Sequence, residues 1–262
     1  MKTKIDILRV KSKKHQFLFE ELVKRDFKQK YKRTVLGMAW SILSPLLNLL
    51  VLSLIFTQFF GRNTPHYTIY LFSGTLMFSY FREATMGGMN ALMANRHIFT
   101  KINVPKYIFL LTKNVSAIIN FGLTLLVYFF FAAIDGVQFG FHMLALVYPI
   151  FCLMAFSVGV GMILSALFVF FRDTQYLYDV FLTLLQYASA IFYTVDGYSP
   201  AVQRIFLVNP VYCAIKYMRV VMLDGTLPSI EFHVLLMVYA VAALLVGGLI
   251  YKKKNHEFLY YV

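Results

Sequence analysis

The residues of this chain with the clearest chemical potential are charged side chains set within long apolar segments. Arg82 and Glu83 are adjacent in one such segment. Neighbours on a helix project about 100° apart, so the two side chains need not pair with each other. One or both could face a polar path or a partner helix. The alternative is that they lie near the polar interface at which an overlong segment ends. Lys216 and Arg219 lie three residues apart on one helical face, where they could contact an anionic ligand. The alternative is that both side chains only extend to a polar interface.

Catalytic and nucleotide-binding motifs are missing from the sequence. No Gly-Lys pair occurs, so the chain has no P-loop to hold ATP phosphates, and it contains no G-x-S-x-G, H-E-x-x-H or G-x-G-x-x-G motif. The two cysteines, Cys152 and Cys213, lack metal-ligand spacing and are expected to be small buried hydrophobes. We therefore predict a protein that is not an enzyme and that binds no cofactor or metal itself. The histidines are scattered over the chain: His15, His66, His97, His142, His233 and His256.

The composition indicates that lipid surrounds much of this chain. Apolar residues make up 60% of the 262 residues and charged residues 14%, whereas soluble domains average about 45–50% and 25%. The mean hydropathy is +0.67. The net charge of +13 is concentrated in a few blocks between uncharged runs, which is typical of membrane topology and argues against nucleic-acid binding. The predicted fold class is an all-α integral membrane protein.

Six transmembrane helices are predicted from runs long enough to cross a bilayer, which takes about 20 apolar residues. The external segment between spans five and six, residues 196–229, is apolar in part but broken by Gly and Pro. It is predicted to form two re-entrant half-helices. The whole chain, 1–262, is read as one transmembrane domain. The predicted spans are about 35–60, 67–92, 108–134, 142–171, 174–195 and 231–251.

The distribution of positive charge predicts that both ends of the chain are cytoplasmic. With six spans and the first segment inside, 20 of the 25 Lys and Arg residues fall in cytoplasmic segments and four in external ones. Positively charged residues are enriched on the cytoplasmic side of membrane proteins. The opposite orientation would reverse this bias.

Two cytoplasmic segments have the pattern of surface elements. In residues 17–33, aromatic and apolar side chains recur every four residues opposite a basic face, which predicts an amphipathic helix at the membrane interface. A solvated cytoplasmic helix is the alternative. The loop 95–106 is short, basic and mildly amphipathic, and Pro105 is expected to end any helix within it.

Aromatic residues make up 18% of the chain. Tyrosines at the ends of the predicted spans fit the interfacial belts of membrane proteins. The mid-span residues Tyr70, Phe78 and Tyr187 are not explained in this way. A path lined by aromatic rings would suit a glycan, since sugar rings stack on aromatic faces, although lipid-facing Phe is the commoner case.

Four motifs in order resemble the membrane subunit of ABC exporters for polysaccharides or polyol phosphates, the group that exports O-antigen, capsule and teichoic acid. The first is LVKRDFKQKYKRTVLGMAWSILSPLL over 22–47, with an Arg-Asp, a basic-Tyr stretch, Leu-Gly-x-x-Trp and Pro-Leu. The others are Val104-Pro105-Lys106, Phe171-Arg172-Asp173, and Asn209-Pro210 followed by Tyr217, Arg219 and Gly225. The resemblance covers nearly the whole chain. Two departures are Lys106 in place of the usual Arg and the missing early Pro in IFYTVDGYSP.

The resemblance implies a partner and a mechanism. Two copies of the chain would form a homodimer in the bacterial cytoplasmic membrane, with two copies of a separate ABC ATPase that carries ATP and Mg. The ATPase motion would pass a lipid-linked glycan outward. The residues expected to couple to the ATPase are Arg25, Asp26, Tyr31, Arg96, Ile98, Phe99, Lys101 and Pro105. Those expected along the substrate path are Trp40, Tyr70, Phe78, Arg82, Glu83, Tyr187, Lys216 and Arg219.

Three other functions stay open at this point. An ABC permease of the same architecture could export a drug or a small lipid instead. An ion-coupled carrier usually shows inverted repeats and paired midplane charges, and a membrane-embedded transferase needs a cluster of His, Asp and Glu on one side. The sequence displays neither feature.

Overall fold

The computed structural model describes residues 16–26, 28–29, 32, 34–60, 65–102, 104–254, 257–259 and 261. Within these ranges, every regular element is a helix. This is what a lipid environment favours, because an α-helix satisfies its own backbone hydrogen bonds where no water is present.

Ten α-helices follow one another along the described part of the chain. The first, α1, covers 16–26 of the predicted amphipathic segment, while Phe27 and Tyr31 lie outside the described residues. A 3-10 turn at Gly37–Ala39 leads into α2, and Gly37 accepts the positive φ of 50° that this turn requires. The remaining helices are α2 Trp40–Phe60, α3 Tyr67–Ala94, α4 Arg96–Phe99, α5 Tyr107–Ile134, α6 Val147–Phe170, α7 Thr174–Ala188, α8 Pro200–Phe206, α9 Pro210–Leu223 and α10 Ile230–Lys254.

Four helical stretches among the described residues are long and apolar enough to cross a membrane: Trp40–Thr57, Tyr107–Ile134, Phe141–Phe170 and Ile230–Lys254. They coincide with predicted spans one, three, four and six. The helices α8 and α9 add a fifth crossing only if they count as one broken span, and they meet at 109°. Predicted span two is α3, whose 28 residues extend about 42 Å at 1.5 Å per residue but include many polar side chains.

The predicted fifth span, 174–195, is wrong at its C-terminal end. The helix α7 stops at Ala188, after 15 residues, and Ala190 then turns the backbone with a positive φ of 48°. At 1.5 Å per residue α7 is about 22 Å long, shorter than the hydrocarbon core of about 30 Å. The following backbone carbonyls turn toward the bundle, where Tyr67 and Tyr70 donate hydrogen bonds to Phe192 and Tyr193.

The centre of the bundle is α3, which packs against α2, α5, α6 and α9. The most extensive contact between two helices is the α6–α10 crossing, and it depends on small residues. A Cβ atom on Gly159 would lie 2.3 Å from the Ala243 carbonyl carbon, and one on Gly247 would lie 2.6 Å from the Gly159 oxygen. Close backbone approach through small residues is a common way to join helices in membranes.

The neighbouring glycines Gly247 and Gly248 provide a matched test of this crossing. Gly247→Leu is expected to destabilise the protein by at least the 1–3 kcal/mol or so that is typical of overpacking, because its side chain would enter the α6 backbone. Gly248→Leu places the same side chain in open space and should leave stability nearly unchanged. Thermal unfolding in detergent, monitored by size-exclusion chromatography, measures the difference in stability. Equal melting temperatures for the two variants would contradict the close crossing.

A polar groove and the basic end of the bundle

A groove of about 510 Å³ lies between α2, α3 and α5. Its lining residues recur every three or four positions on each helix, so one face of each helix borders the groove. Four aromatic side chains contribute to it, of which Trp40 is 39% exposed and Tyr80 packs edge-to-face on Phe121 at 5.2 Å. Apart from Tyr80, the lining residues that carry a hydroxyl, amide or carboxylate are Thr34, Ser41, Ser44, Asn48, Thr75, Ser79, Glu83, Asn120 and Thr124.

The groove offers hydrogen-bonding groups in an otherwise apolar part of the chain. The Thr75 hydroxyl donates to the Leu71 carbonyl at 3.0 Å and the Thr124 hydroxyl donates to the Asn120 carbonyl at 3.0 Å. These bonds use the hydroxyl hydrogens and leave oxygen lone pairs as acceptors. Neutral hydroxyl and amide groups beside aromatic rings are suited to a ligand that carries many hydroxyl groups.

A second cavity of about 520 Å³ adjoins this groove. Both are lined by Glu83 and Asn120, and the Asn120 amide donates to the Glu83 carboxylate at 2.7 Å. The second cavity is bordered by charged groups from three elements: Arg25 and Asp26 of α1, Glu83 of α3 and Lys113 of α5. The Glu83–Asn120 contact therefore marks the boundary between a neutral polar groove and a charged cavity.

A charged network joins α1 to the rest of the bundle at this cavity. The Asp26 side chain is 4% exposed, and its carboxylate lies 2.8 Å from Lys113 of α5 and 2.8 Å from Arg25. Arg25 also donates to the side chain of Asn95 at 2.8 Å. Asn95 is fully buried between α3 and α4 and donates to the Ala91 carbonyl. Three separate segments are thus tied together by one buried network.

The loop 95–106 lies at the same end of the molecule, which we call the basic end because α1, this loop and Lys252–Lys254 meet there. Within α4 and the following turn, Arg96, His97 and Lys101 are exposed. Phe99 points inward and is 5% exposed in an apolar cluster that also contains Leu22 of α1. The loop thus presents a basic outer surface on an apolar anchor.

Lys106 ends this loop in an apolar environment. The side chain is 7% exposed, and its ammonium nitrogen lies 6.0 Å from the ring centre of Phe99 and 5.4 Å from that of Phe258. Burial lowers the pKa of Lys106, because removing the ammonium from water disfavours its charged form. The aromatic faces partly offset this cost through cation–π attraction.

Most residues of the predicted ATPase-coupling set lie at the basic end. Arg25 and Asp26 are in the charged network, and Arg96, Ile98, Phe99 and Lys101 are in α4 or the turn after it. Pro105 precedes Lys106 and is half-buried. Tyr31 lies outside the described residues. The set comes from two segments 70 residues apart that the structure brings into contact, while their role in coupling stays a prediction.

The predicted substrate-path residues do not form one surface. Trp40 and Glu83 line the groove. Arg82 and Tyr187 are exposed elsewhere and Lys216 is half-buried. Tyr70 and Phe78 are 8% and 4% exposed within the core and line neither cavity, and their place along a path stays a prediction.

The prediction that Arg219 extends to a polar interface is wrong. Its side chain is 7% exposed and reaches neither an interface nor the groove. The guanidinium donates to the backbone carbonyls of Ala190, Ile191 and Tyr70 at 2.9, 3.0 and 3.2 Å. It also lies 3.4 Å from the centre of the Tyr70 ring. The residue thus holds the chain after α7 against α3, and its spacing from Lys216 does not give the two a shared function.

The neutral polar residues of the groove were missed by reasoning from charge and aromaticity. A signal was present: Ser41, Ser44 and Asn48 are spaced three and four apart, and Thr75 and Ser79 are four apart. Such spacing places polar groups on one face of an apolar helix. A search for polar faces within the predicted spans would have found them.

These features define a multi-pass membrane protein with a polar groove between its helices and a buried charged network at its basic end. The chain belongs to the ABC-2 type transporter family, whose sequence profile matches residues 18–223. It is thus a component of a transporter.

Three relatives match nearly the full chain. The O-antigen export system permease protein RfbA of Myxococcus xanthus is 26% identical over 243 residues, which cover 92% of this chain and 94% of the relative. An RfbA of Klebsiella pneumoniae is 27% identical over 251 residues, covering 92% and 95%. The polysialic acid transport protein KpsM of Escherichia coli is 21% identical over 243 residues, covering 92% and 94%.

Proposed function

We propose that this chain is the membrane subunit of an ATP-driven exporter that passes a lipid-linked polysaccharide, of the O-antigen, capsule or teichoic-acid type, across the bacterial cytoplasmic membrane. The similarity over 92% of the chain to O-antigen permeases carries the proposal. The polar groove between α2, α3 and α5 supports it, since hydroxyl and amide side chains can exchange hydrogen bonds with a glycan moving along them.

In this proposal the basic end is cytoplasmic and the chain makes six crossings. The positive charge bias favours this orientation. The fifth crossing begins with α7, and the bent pair of α8 and α9 forms the re-entrant region on the outer side. The charged cavity beside Arg25 and Lys113 then opens toward the cytoplasm, and the neutral groove continues outward from Glu83.

The proposed assembly contains two copies of this chain and two copies of a cytoplasmic ABC ATPase, which binds ATP and Mg. The α2 helix supports a second copy, because only 11% of its span is buried within one subunit, against 44% for Phe141–Phe170. A second subunit against α2 would close the groove from lipid. The exposed basic residues of loop 95–106 are suited to contact the ATPase.

Export of a drug or small lipid through the same architecture is the second candidate. The composition of the groove favours the glycan, because nine of its lining residues carry a hydroxyl, amide or carboxylate beyond the one tyrosine. An apolar drug could not use the remaining hydrogen-bonding capacity of these groups, whereas the hydroxyls of a glycan could. An ion-coupled carrier is less well supported, since Glu83 is the one carboxylate among the lining residues.

The groove is tested by adding bulk inside and outside it. Asn48 of α2 lines the groove, whereas Leu126 of α5 is 68% exposed and projects about 200° from the groove-lining Thr124. Asn48→Trp is expected to lower glycan export severalfold by narrowing the groove, and Leu126→Trp should retain most of it. The measurement is export of lipid-linked glycan and glycan-stimulated ATP hydrolysis in proteoliposomes with the partner ATPase.

Three results of this experiment would count against a part of the proposal. Equal export by the two variants would show that the groove is not the path. Glycan export by the purified parent chain with no ATPase present would contradict the ATP-driven mechanism as a whole. Stimulation of ATP hydrolysis by an apolar drug, with none by glycan, would favour the second candidate.

A further inference from the structure

The short turn after α10, Glu257–Leu259, places a buried aromatic ring at the basic end of the bundle. Phe258 is 0% exposed, although it follows three consecutive lysines. Its ring centre lies 5.3 Å from that of Tyr251 and 5.9 Å from that of Phe170. Phe258 thus reaches α6 and α10 at once.

The same ring also reaches the loop 95–106. It belongs to the apolar cluster that contains Phe99 of α4 and Val104 of the loop. The Lys106 ammonium lies between Phe99 and Phe258, 5.4 Å from the Phe258 ring centre. One side of the environment of Lys106 is therefore supplied by a residue about 150 positions later in the chain.

Two contacts hold the turn itself, and they differ in strength. Lys254 pairs with Glu257 at 2.8 Å, but the two side chains are 39% and 44% exposed, and exposed ion pairs contribute little. The burial of Phe258 removes a complete aromatic side chain from water and is the stronger anchor. The position of the turn thus depends mainly on this one ring.

We propose that Phe258 is a positioning residue for transport, which sets the location of loop 95–106 so that its basic surface can receive the motion of the ATPase. This inference rests on the proposed function. Phe258 is fully buried and does not itself contact the ATPase. It acts through Lys106 and Phe99. The turn Glu257–Leu259, which lies outside the two predicted coupling segments, thus completes the coupling surface.

Labelling of one introduced cysteine tests the position of loop 95–106 without any ATPase. Cys152 and Cys213 are buried, so they label slowly while the fold is intact. In the purified chain in nanodiscs, Val104→Cys, at a position 8% exposed, reports on the loop through its rate of reaction with a polar maleimide. Phe258→Ala is expected to raise that rate severalfold, and Phe258→Leu, which keeps an apolar side chain, should restore much of the protection.

A matched control removes another buried ring at the opposite end of the bundle. Phe192 is 5% exposed and stacks on Phe56 at 4.7 Å. Phe192→Ala should leave the labelling of Val104→Cys at the parent rate. If Phe258→Ala unfolds the chain, the native cysteines will label rapidly, and the comparison then uses Phe258→Leu against the parent.

The second readout is glycan exported per ATP hydrolysed, in the complex with the partner ATPase. Phe258→Ala is expected to lower this ratio, and Phe258→Leu to recover part of it. An unchanged labelling rate, or a raised labelling rate with an unchanged ratio, would overturn the inference. A parent complex without ATP-driven glycan export would refute the proposed function and the coupling role together, and the parent measurement alone would reveal it.

Discussion

Replacing Arg219 by alanine is expected to be among the most destabilising single changes in this protein. The guanidinium is 7% exposed and donates to three backbone carbonyls and, at 3.3 Å, to the Ser73 hydroxyl. Removing it takes the charged donor away from these buried acceptors, of which the Tyr70 and Ala190 carbonyls keep, among the described residues, only the hydroxyls of Ser73 and Tyr70 as side-chain donors. A hydrogen bond to a charged group contributes about 1.5–3 kcal/mol, and thermal unfolding in detergent measures the loss.

Lysine should not replace Arg219 successfully. The acceptors lie on two segments, just after α7 and on α3, and the forked guanidinium contacts both at once. An ammonium is a compact charge without that fork. Arg219→Lys is therefore expected to recover only a small part of the stability lost in Arg219→Ala.

Two further variants separate this clamp from a general effect of positive charge. Lys216→Ala removes a half-buried cation from the same helix and should cost much less stability. Gly74→Ala adds a Cβ atom that would lie 2.8 Å from the Arg219 guanidinium and should destabilise in the same direction as Arg219→Ala. Similar losses for Lys216→Ala and Arg219→Ala would contradict the clamp.

The location of Arg219 has a consequence for the exit side of the proposed path. The segment after α7 has no helix of its own until Pro200, and its carbonyls are held by Arg219, Tyr67 and Tyr70. The negative end of the α7 dipole lies beside the guanidinium, which favours a cation there. The clamp thus fixes the start of the α7–α8 connection, and Arg219 is not among the residues that line the groove.

The sequence predicted best what depends on the bilayer alone. Four apolar spans could be located because a crossing requires about 20 apolar residues in succession, and each coincides with a helix. The end of α7 could not be found in this way. Residues 189–195 are as apolar as a helix interior, and the turn at Ala190 depends on Arg219, which comes later in the chain.

The candidate site shows the same division. The two coupling segments could be recognised as basic and amphipathic, since charge pattern is local information. That Asp26 pairs with Lys113, or that Phe258 lies under Lys106, depends on contacts between distant segments. Apart from Glu83, the polar groove residues are neutral, so neither charge nor hydropathy distinguishes them, and only their shared helical face does.

The Asp26–Lys113 pair yields the second prediction of large effect. It connects α1 to α5 at 2.8 Å, with the Asp26 side chain 4% and the Lys113 side chain 24% exposed. The Glu21–Lys24 pair lies on the same helix at 3.2 Å, but its side chains are 51% and 61% exposed. The two pairs differ in burial and in what they join, because Asp26–Lys113 connects two helices and Glu21–Lys24 lies within α1. The exposed pair is therefore the control for removing a charge pair from α1 without removing its attachment to the bundle.

Asp26→Asn is expected to release α1 from the bundle and to lower glycan export per ATP hydrolysed, because Lys113 and Arg25 lose their shared carboxylate. A double-mutant cycle with Lys113→Met should give a coupling energy in the range of about 0.5–3 kcal/mol found for residues in contact. The corresponding cycle of Glu21→Gln and Lys24→Met should give less than about 1 kcal/mol, as exposed pairs do.

Thermal unfolding of the four variants in each cycle measures the coupling energies, and limited proteolysis of α1 reports its release. Equal coupling energies for the buried and the exposed pair would show that the network adds nothing to the attachment of α1. A large coupling energy with unchanged export per ATP would mean that the network attaches α1 but transmits no motion. We expect Asp26→Asn, but not Glu21→Gln, to lose both the attachment of α1 and export per ATP hydrolysed. That result would place the transmission of motion from the ATPase to the helices at the Asp26 carboxylate, since α1 contacts α5 through it.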